Sequence, residues 1–337
     1  MALTTVWFGL IAILWVGYLV LEGFDFGVGI LLPVLGRTEA ERRAVIATIG
    51  PVWDGNEVWL LVAGGATFAA FPEWYASLFS GFYLALFLIL VALIIRGVAF
   101  EYRSKRPDPA WRAWWDRAIF AGSFVPALLW GVAFANIVAG VPLDRAHVFT
   151  GDLLTLLGPY ALLGGLTTLG LFVTHGATFL ALKTTGVVRQ RANAIVGVAG
   201  LVTAGLAVLF LGWTQVQNGD PGSLALSVVA AGCLVGALLA NRLGHEGWAF
   251  AGTAATIVLA VVVLFTALYP DVLPSTTDPA FSLTITNASS TQYTLGIMTV
   301  VAVIFTPLVL LYQGWTYWVF RRRVASPRIA DSPPAGS

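Results

Sequence analysis

Long stretches without a charged residue dominate this chain, and they are separated by short polar segments. About 20 consecutive apolar residues are enough to cross the hydrocarbon core of a bilayer. Nine largely apolar stretches approach or exceed that length, although the first three contain a few charged residues. The pattern therefore predicts an all-α, polytopic membrane protein with nine transmembrane helices, at about residues 1–32, 52–70, 74–100, 118–143, 153–182, 192–213, 224–240, 248–268 and 293–320.

The distribution of basic residues supports this count and predicts an orientation. Lys and Arg accumulate in the cytoplasmic loops of membrane proteins. If alternate loops are cytoplasmic, all 18 basic residues except Arg96 and Arg145 fall on that side. A miscounted helix would destroy this asymmetry downstream of the error. The sequence therefore predicts an N-terminus outside and a cytoplasmic C-terminus.

The amino-acid composition further limits the class of protein to which the chain can belong. The chain is 58% hydrophobic and only 10% charged, whereas a soluble domain is about 25% charged. The net charge of +1 gives no reason to expect a nucleic-acid partner. With one cysteine, Cys233, the chain has no internal disulfide and no Cys-based metal cluster.

Four carboxylates interrupt the apolar pattern in the first two predicted spans. Glu22 and Asp25 lie in LEGFDFGVG, and Asp54 and Glu57 lie in GPVWDGNEVWL. Each pair is spaced i,i+3 and so shares one helix face. The predicted orientation puts both pairs in the cytoplasmic third of the membrane, level with Arg96. Because ionisable groups inside a bilayer are costly and mark ion or proton pathways, we expect a buried acidic cluster with one arginine, reachable from the cytoplasm.

Structural interpretations of the same residues stay open at this point. Asp54 and Glu57 follow a Gly-Pro pair, so they could be first-turn acids that complement a helix dipole. Glu22 and Asp25 could form a structural ion pair with Arg96. Arg96 could instead extend its side chain to the membrane interface, since its span ends a few residues later.

His175 is the only histidine inside a predicted span, and it bears on whether the chain holds a haem. Haem iron takes its axial ligands from His, Met, Cys or Tyr. One histidine within a span allows one haem at most, and a polar contact between helices is the simpler role. Motifs for metalloproteases, dinucleotides and nucleotide phosphates are absent from the sequence. We therefore expect no catalytic centre and no metal site within this chain alone.

A short internal repeat predicts how the helices are organised. Residues 21–26, LEGFDF, and residues 174–179, THGATF, each precede a basic inner loop. Parallel repeats are a known membrane architecture, so we expect a four-helix bundle at 1–140 and a second one at 141–268. Residues 269–323 would supply an ordered outer loop and the ninth helix. The composition of residues 324–337 predicts a disordered cytoplasmic tail.

Several segments resemble one family of membrane proteins. They are GFDFGVG at 23–29, the run through WDGNEVW at 36–76, and residues 79–105, 122–142 and 273–298. Together they resemble subunit II of the cytochrome bd-type quinol oxidases from the first span to the ninth. The run through WDGNEVW is the most specific of them. Members of that family have nine helices, arranged as two four-helix bundles plus one peripheral helix.

The resemblance implies a heterodimer in the bacterial inner (plasma) membrane. A homologous subunit I would carry two b-type haems, haem d and the site for menaquinol or ubiquinol, and the complex would reduce dioxygen to water with protons from the cytoplasm. The present chain would ligate no haem, would be needed for assembly and would contribute a proton route. The resemblance also allows a bound quinone, lipid and a small single-helix accessory subunit, although the short loop at 214–222 leaves contacts in that region open.

Residue roles follow from the matching motifs. Asp25 and Asp54 would serve the proton route, together with Glu22, which stands where some members have Asp, and with Glu57. Arg96 would be their charge partner, and Trp59 would border an oxygen entry path. Two other functions remain open beside this one: a proton-coupled secondary transporter, with a substrate site between the repeats, and a purely structural scaffold.

Overall fold

The computed structural model describes residues 3–325, and that part of the chain is almost entirely helical. Eleven α-helices follow one another: α1 Leu3–Leu35, α2 Glu39–Ile49, α3 Trp53–Ala70, α4 Pro72–Gly81, α5 Tyr83–Tyr102, α6 Pro109–Ala139, α7 Pro159–Lys183, α8 Gly186–Asn218, α9 Pro221–Arg242, α10 Glu246–Leu268 and α11 Gln292–Val319. Two short strands, β1 Asp271–Leu273 and β2 Leu283–Thr284, form an antiparallel pair. The predicted all-α class is confirmed.

Polar residues at the helix ends explain where several of these helices begin. Thr38 accepts from the backbone N–H of Glu41, whose carboxylate accepts from Thr38 in return, so a capping box starts α2. Asp220 caps α9 in the same way, and Pro221 occupies the first turn. These polar caps satisfy backbone donors that would otherwise lack partners at the helix start.

Eight of the described helices are long and apolar enough to cross a membrane: α1, α5, α6, α7, α8, α9, α10 and α11. Each lies at the position of a predicted span. The helix at the predicted second span, α3, has 18 residues and contains both Asp54 and Glu57. Because α3 is not among the eight, the count of nine transmembrane helices remains a prediction.

The predicted third span was wrong at its start. Residues 74–100 do not form one helix, because α4 ends at Gly81 and α5 begins at Tyr83. The break follows a Ser-Gly pair, a sequence at which helices bend readily. Gly81 also lies close to Phe149, so that a Cβ atom at this position would be 2.7 Å from the phenylalanine Cβ.

Helix α1 lies at the centre of the fold. It packs against α3, α6, α7 and α10. Its tightest approach is to α7, where a Cβ atom on Gly27 would lie 2.8 Å from the Gly176 Cα and 2.0 Å from the Phe172 carbonyl oxygen. Small residues let membrane helices approach at backbone distance, so the two glycines fix the crossing point of α1 and α7.

The outer loop that follows α10 is ordered. Its segment around Pro274 pairs with the loop after α6, since Val141 N–H donates to the Pro274 carbonyl at 3.0 Å and Thr276 N–H donates to Val141 at 3.0 Å. Ser290 N–H donates to the Ala70 carbonyl at the end of α3. The loop therefore joins the ends of several helices.

Ion pairs hold the opposite end of the molecule together. Arg103, after α5, donates to both carboxylate oxygens of Glu39 at 2.9 Å and to Asp116 on α6. Burial disfavours the charge on Glu39, but these hydrogen bonds and the charges of Arg103 and Arg112 outweigh it, so the pKa of Glu39 lies below its ordinary value. Of the predicted disordered tail, 324–337, all but the first two residues lie outside the described part.

Candidate functional site

Glu22 and Asp25 lie on the half of α1 that is most deeply buried. Both are fully buried, and their neighbours along the helix are buried as well. A Cβ atom on Gly23 would lie 2.7 Å from the Phe172 ring. The glycines therefore bring α7 close to α1 and exclude lipid and water from this level of the helix.

Arg96 on α5 supplies the positive charge of the site. Its guanidinium forms an ion pair with Glu22, and both side chains are fully buried. Gly122 on α6 leaves room for it, because a Cβ atom there would lie 2.7 Å from the Arg96 Cβ. The Phe26 ring lies 4.7 Å from the guanidinium carbon and adds a cation–π contact.

This geometry decides between two of the open interpretations of Arg96. The ion pair with Glu22 is present. Extension of the side chain to the membrane interface is wrong, since none of the arginine is exposed. One arginine balances one of the two buried carboxylates, so the second can hold a transferable proton.

Asn56 on α3 completes the site, although the sequence did not single it out. Its side-chain amide donates to Asp25 Oδ2 at 2.7 Å and lies 3.4 Å from the Leu21 carbonyl oxygen. The Asn56 oxygen accepts from Tyr317 at 2.8 Å and from Gln313 at 3.0 Å, both on α11. The acidic site thus draws on four helices, α1, α3, α5 and α11.

The second predicted acid pair lies further out. Asp54 is exposed in the first turn of α3 and makes no capping hydrogen bond, and Glu57 is half-buried one turn later. Glu57 is close enough for its charge to act on both Glu22 and Asp25. The structure therefore joins Glu22, Asp25 and Arg96 in one buried cluster and places Asp54 and Glu57 between that cluster and the surface of the chain.

Trp59 lies at the contact between α1 and α3. It is half-buried, and a Cβ atom on Gly17 would lie 2.3 Å from its ring. Because of the indole, only a residue without a side chain fits at position 17. The indole fills the space between the two helices on the N-terminal side of the acidic cluster along α1.

His175 on α7 faces α1 and is fully buried. Its Nε2 faces the Val20 carbonyl oxygen at 3.2 Å, and its Nδ1 faces the Thr253 hydroxyl at 2.7 Å. Its ring stacks on Phe250 with 4.6 Å between centroids. Since a carbonyl only accepts, Nε2 carries the proton and Nδ1 accepts from Thr253. Both ring nitrogens are engaged, so His175 has no free nitrogen for a haem iron.

Chemically, the carboxylates of the acidic cluster are groups that can bind and release protons. In residues 3–325, no group of three or more His, Cys, Asp or Glu side chains could hold a metal ion. The acidic cluster combines two fully buried carboxylates, one arginine and an amide, with two further acids toward the surface. Buried ionisable groups of this kind mark a proton or ion path.

The sequence contained a weak signal for the residues that were missed. Asn56 lies between the two acids of WDGNEVW, and Gln313 and Tyr317 interrupt the apolar pattern of LLYQGWTYW at i,i+4 spacing. That spacing puts the latter two on one face of α11. Which helix this face meets could not be read from the sequence.

Comparisons with known proteins match nearly the whole described length. The family model described as cytochrome bd terminal oxidase subunit II matches residues 3–320. Subunit 2 of the cytochrome bd-I ubiquinol oxidase of Escherichia coli K12 is 38% identical, with 96% of each chain covered. Subunit 2 of the cytochrome bd ubiquinol oxidase of Bacillus subtilis 168 is 40% identical, over 96% of this chain and 97% of the relative.

A solved structure shares the fold. A chain in the structure of bd oxidase from Geobacillus thermodenitrificans superimposes with a TM-score of 0.78 at 18% identity, over 95% of the present chain and 98% of that chain. At this identity the structural similarity supports the fold alone, whereas the sequence relatives support the family assignment.

Proposed function

This chain belongs to the cytochrome bd terminal oxidase subunit II family, and from that membership we propose that it is the haem-free half of a quinol:dioxygen oxidoreductase. It is a multi-pass protein of the bacterial inner membrane. In the proposed complex a homologous subunit I holds two b-type haems and haem d and oxidises menaquinol or ubiquinol. The present chain supports assembly and delivers protons.

The occupied ring of His175 supports a haem-free role. The imidazole would have to give up Thr253 or Val20 to reach an iron, and its ring is held against Phe250. The haems in the partner would supply the electron transfer and the oxygen chemistry. What this chain contributes to proton delivery would then come from its carboxylates.

We include α3 as the ninth transmembrane helix, with the N-terminus outside. Its apolar residues, 58–70, follow the acids and lie against α1, so the two helices can cross the membrane side by side. The meeting of the two repeated segments at Gly27 and Gly176 supports a parallel repeat, since related helices of two bundles would cross near their axis of symmetry.

The observation that carries the proposal is the exposure of Asp54. A carboxylate at the surface of a membrane helix would face lipid, which is unfavourable unless water or protein covers it. Further along, α3 and α5 also present exposed apolar side chains, such as Leu61, Leu84 and Leu88. We assign this face to the haem-bearing subunit. Asp54 would then lie at the subunit interface and receive protons from the cytoplasm.

From Asp54 the proposed route continues inward. Glu57, which is half-buried one turn after Asp54, would pass protons from Asp54 to the buried pair, Glu22 and Asp25. Arg96 neutralises one carboxylate of that pair and keeps the other available for a proton. The protons would be consumed in the partner when dioxygen is reduced to water with electrons from quinol.

Trp59 and one cavity complete the proposal. Trp59 borders the apolar face next to the acids, where an uncharged gas such as oxygen could pass between α1 and the partner. A cavity of about 290 Å³ lies among α7, α8, α9 and α10 and is lined almost wholly by apolar side chains, including Leu171, Leu211 and Ile257. Such a lining suits the isoprenoid chain of a bound quinone. A single-helix accessory subunit could pack on the exposed apolar faces.

The test begins with purification of the intact complex. A haem-bearing partner with haem d absorption should co-purify with this chain, and a stable haem-free homo-oligomer would contradict the proposal and favour a transporter. Asp54→Asn should then slow oxygen consumption at least about tenfold while the haem content stays unchanged.

The matched control is Glu73→Gln, which removes an exposed acid at the far end of the α3–α4 pair. It should leave turnover unchanged. Equal rates for Asp54→Asn and the control would remove Asp54 from the proton route. Loss of all haems in Asp54→Asn alone would give this residue a role in assembly instead.

A further inference from the structure

Helix α11 is the least buried of the long helices, yet it reaches the acidic cluster at one point. Only Leu295 is buried along its length. Gln313 and Tyr317 are one turn apart and are half-buried, and both donate hydrogen bonds to the side-chain oxygen of Asn56. Two polar side chains of a largely exposed helix thus donate to the same acceptor, the Asn56 oxygen.

Those two donors determine how Asn56 is oriented. An asparagine side chain can point its oxygen or its nitrogen either way, and the hydrogen-bond partners decide which. Here the oxygen faces two donors from α11, so the nitrogen must face α1. On that side it meets two acceptors, Asp25 Oδ2 and the Leu21 carbonyl oxygen. The donors on α11 and the acceptors on α1 are therefore all consistent with one orientation of the Asn56 side chain.

The orientation divides the two oxygens of Asp25 between different tasks. Oδ2 accepts from Asn56 and is fixed in place. Oδ1 is buried and has no hydrogen-bond partner among the described residues. A carboxylate held by one oxygen presents the other in a defined direction, which suits proton transfer because such transfer depends on the alignment of donor and acceptor.

We propose that Asn56 is a positioning residue for Asp25, and that Gln313 and Tyr317 of α11 hold it in the orientation that leaves Asp25 Oδ1 free to accept a proton. This inference rests on the proposed proton route. It gives the peripheral helix α11 a part in proton transfer, through three side chains that do not themselves carry the proton.

Simple anchoring of α11 is a weaker explanation of these contacts. The helix is attached at its outer end, where the Trp7 indole donates to the Leu295 carbonyl and to Thr299. At its inner end the Lys183 ammonium group donates to the Phe320 and Arg322 carbonyls, and Val324 N–H donates to Lys183. Removing the two donors to Asn56 should therefore leave the helix in place.

The experiment compares variants of the intact complex. Tyr317→Phe combined with Gln313→Leu removes both donors, and Tyr312→Phe removes an exposed hydroxyl from the same helix as a matched control. We expect the double variant to lower oxygen consumption about tenfold at unchanged haem content. We also expect it to shift the Asp25 band, identified with Asp25→Asn, in the infrared difference spectrum of the carboxyl groups. The single Tyr317→Phe variant should lie between the double variant and wild type.

Each outcome has a distinct meaning. If Asp25→Asn slows turnover but the double variant behaves like Tyr312→Phe in rate and in infrared band, the positioning role is refuted and the proton route stands. If Asp25→Asn turns over normally, the proposed route itself fails. Loss of haem or of the partner subunit in the double variant would show that the pair only anchors α11, which also overturns the inference.

Discussion

The two segments of the predicted internal repeat, residues 21–26 on α1 and 174–179 on α7, lie against each other but carry different polar groups. The first has two carboxylates, and the second has an imidazole and a hydroxyl at the same positions. Glu22 and His175 occupy the same position of the repeated pattern, and so do Asp25 and Thr178. The segments meet at the crossing next to Gly27 and Gly176. All four of these polar side chains are fully buried.

The difference lies in how their polar groups are satisfied. His175 and Thr178 are neutral. Both form hydrogen bonds with Thr253, and each also bonds to a backbone carbonyl, that of Val20 for His175 and that of His175 for Thr178. Glu22 and Asp25 are ionisable. Arg96 forms an ion pair with Glu22, and one oxygen of Asp25 has no hydrogen-bond partner among the described residues. Burial alone therefore does not mark a functional site. A better criterion is a buried ionisable group that has an atom without a hydrogen-bond partner and lies near acids that reach the surface.

The largest expected effect comes from removing the charge partner on the acidic side. Arg96→Leu would leave Glu22 buried without compensation, and breaking a buried pair in this way costs about 3–5 kcal/mol. We expect loss of the assembled complex or a marked fall in its melting temperature, measured by yield and by thermal unfolding in detergent.

Two variants sharpen that result. Arg106→Leu removes an exposed arginine that stacks on Trp111 and should have little effect. The double variant Arg96→Leu with Glu22→Gln should recover much of the lost stability, because no uncompensated charge stays buried. A double variant as unstable as Arg96→Leu alone would mean that the arginine acts through packing and not through charge.

A smaller effect is expected on the neutral side. His175→Leu removes two hydrogen bonds, but the Thr253 hydroxyl, no longer bonded to Nδ1, can then donate to the Phe250 carbonyl, so the loss should be about 1–2 kcal/mol. Thermal unfolding measures this loss, and the haem absorption spectrum should be unchanged. Disappearance of one haem signal would contradict the neutral structural role and make His175 a ligand.

Apolar run length and the positions of basic residues predicted much of the fold. The helices at eight of the predicted spans follow from these two properties, since a membrane helix is defined by its length without charge. The break at Phe82 was not predicted: the Ser-Gly pair before it permits a bend, but the approach of Phe149 from a distant loop to Gly81 is visible only in the structure. Contacts between distant segments leave no mark on local hydropathy.

The charged residues of the candidate site could be predicted from the sequence, but its uncharged polar residues could not. Glu22, Asp25 and Arg96 stand out as charges in apolar spans, and their common level follows from orientation and helix rise. Asn56 and Tyr317 do not stand out, because uncharged polar side chains are common in membrane helices. Their importance arises from α11 lying against α3, an arrangement that only the structure gives.

The account depends most directly on one comparison at matched positions, Asp25→Asn against Thr178→Val. Each variant removes a polar function from the same place in the repeated segment, one on each side of the crossing. With the intact complex in proteoliposomes, proton uptake from the cytoplasmic side can be recorded during oxygen reduction. The account predicts that Asp25→Asn slows proton uptake and oxygen consumption together, at least about tenfold, with full haem content, and that Thr178→Val changes neither. Equal rates in the two variants would contradict it.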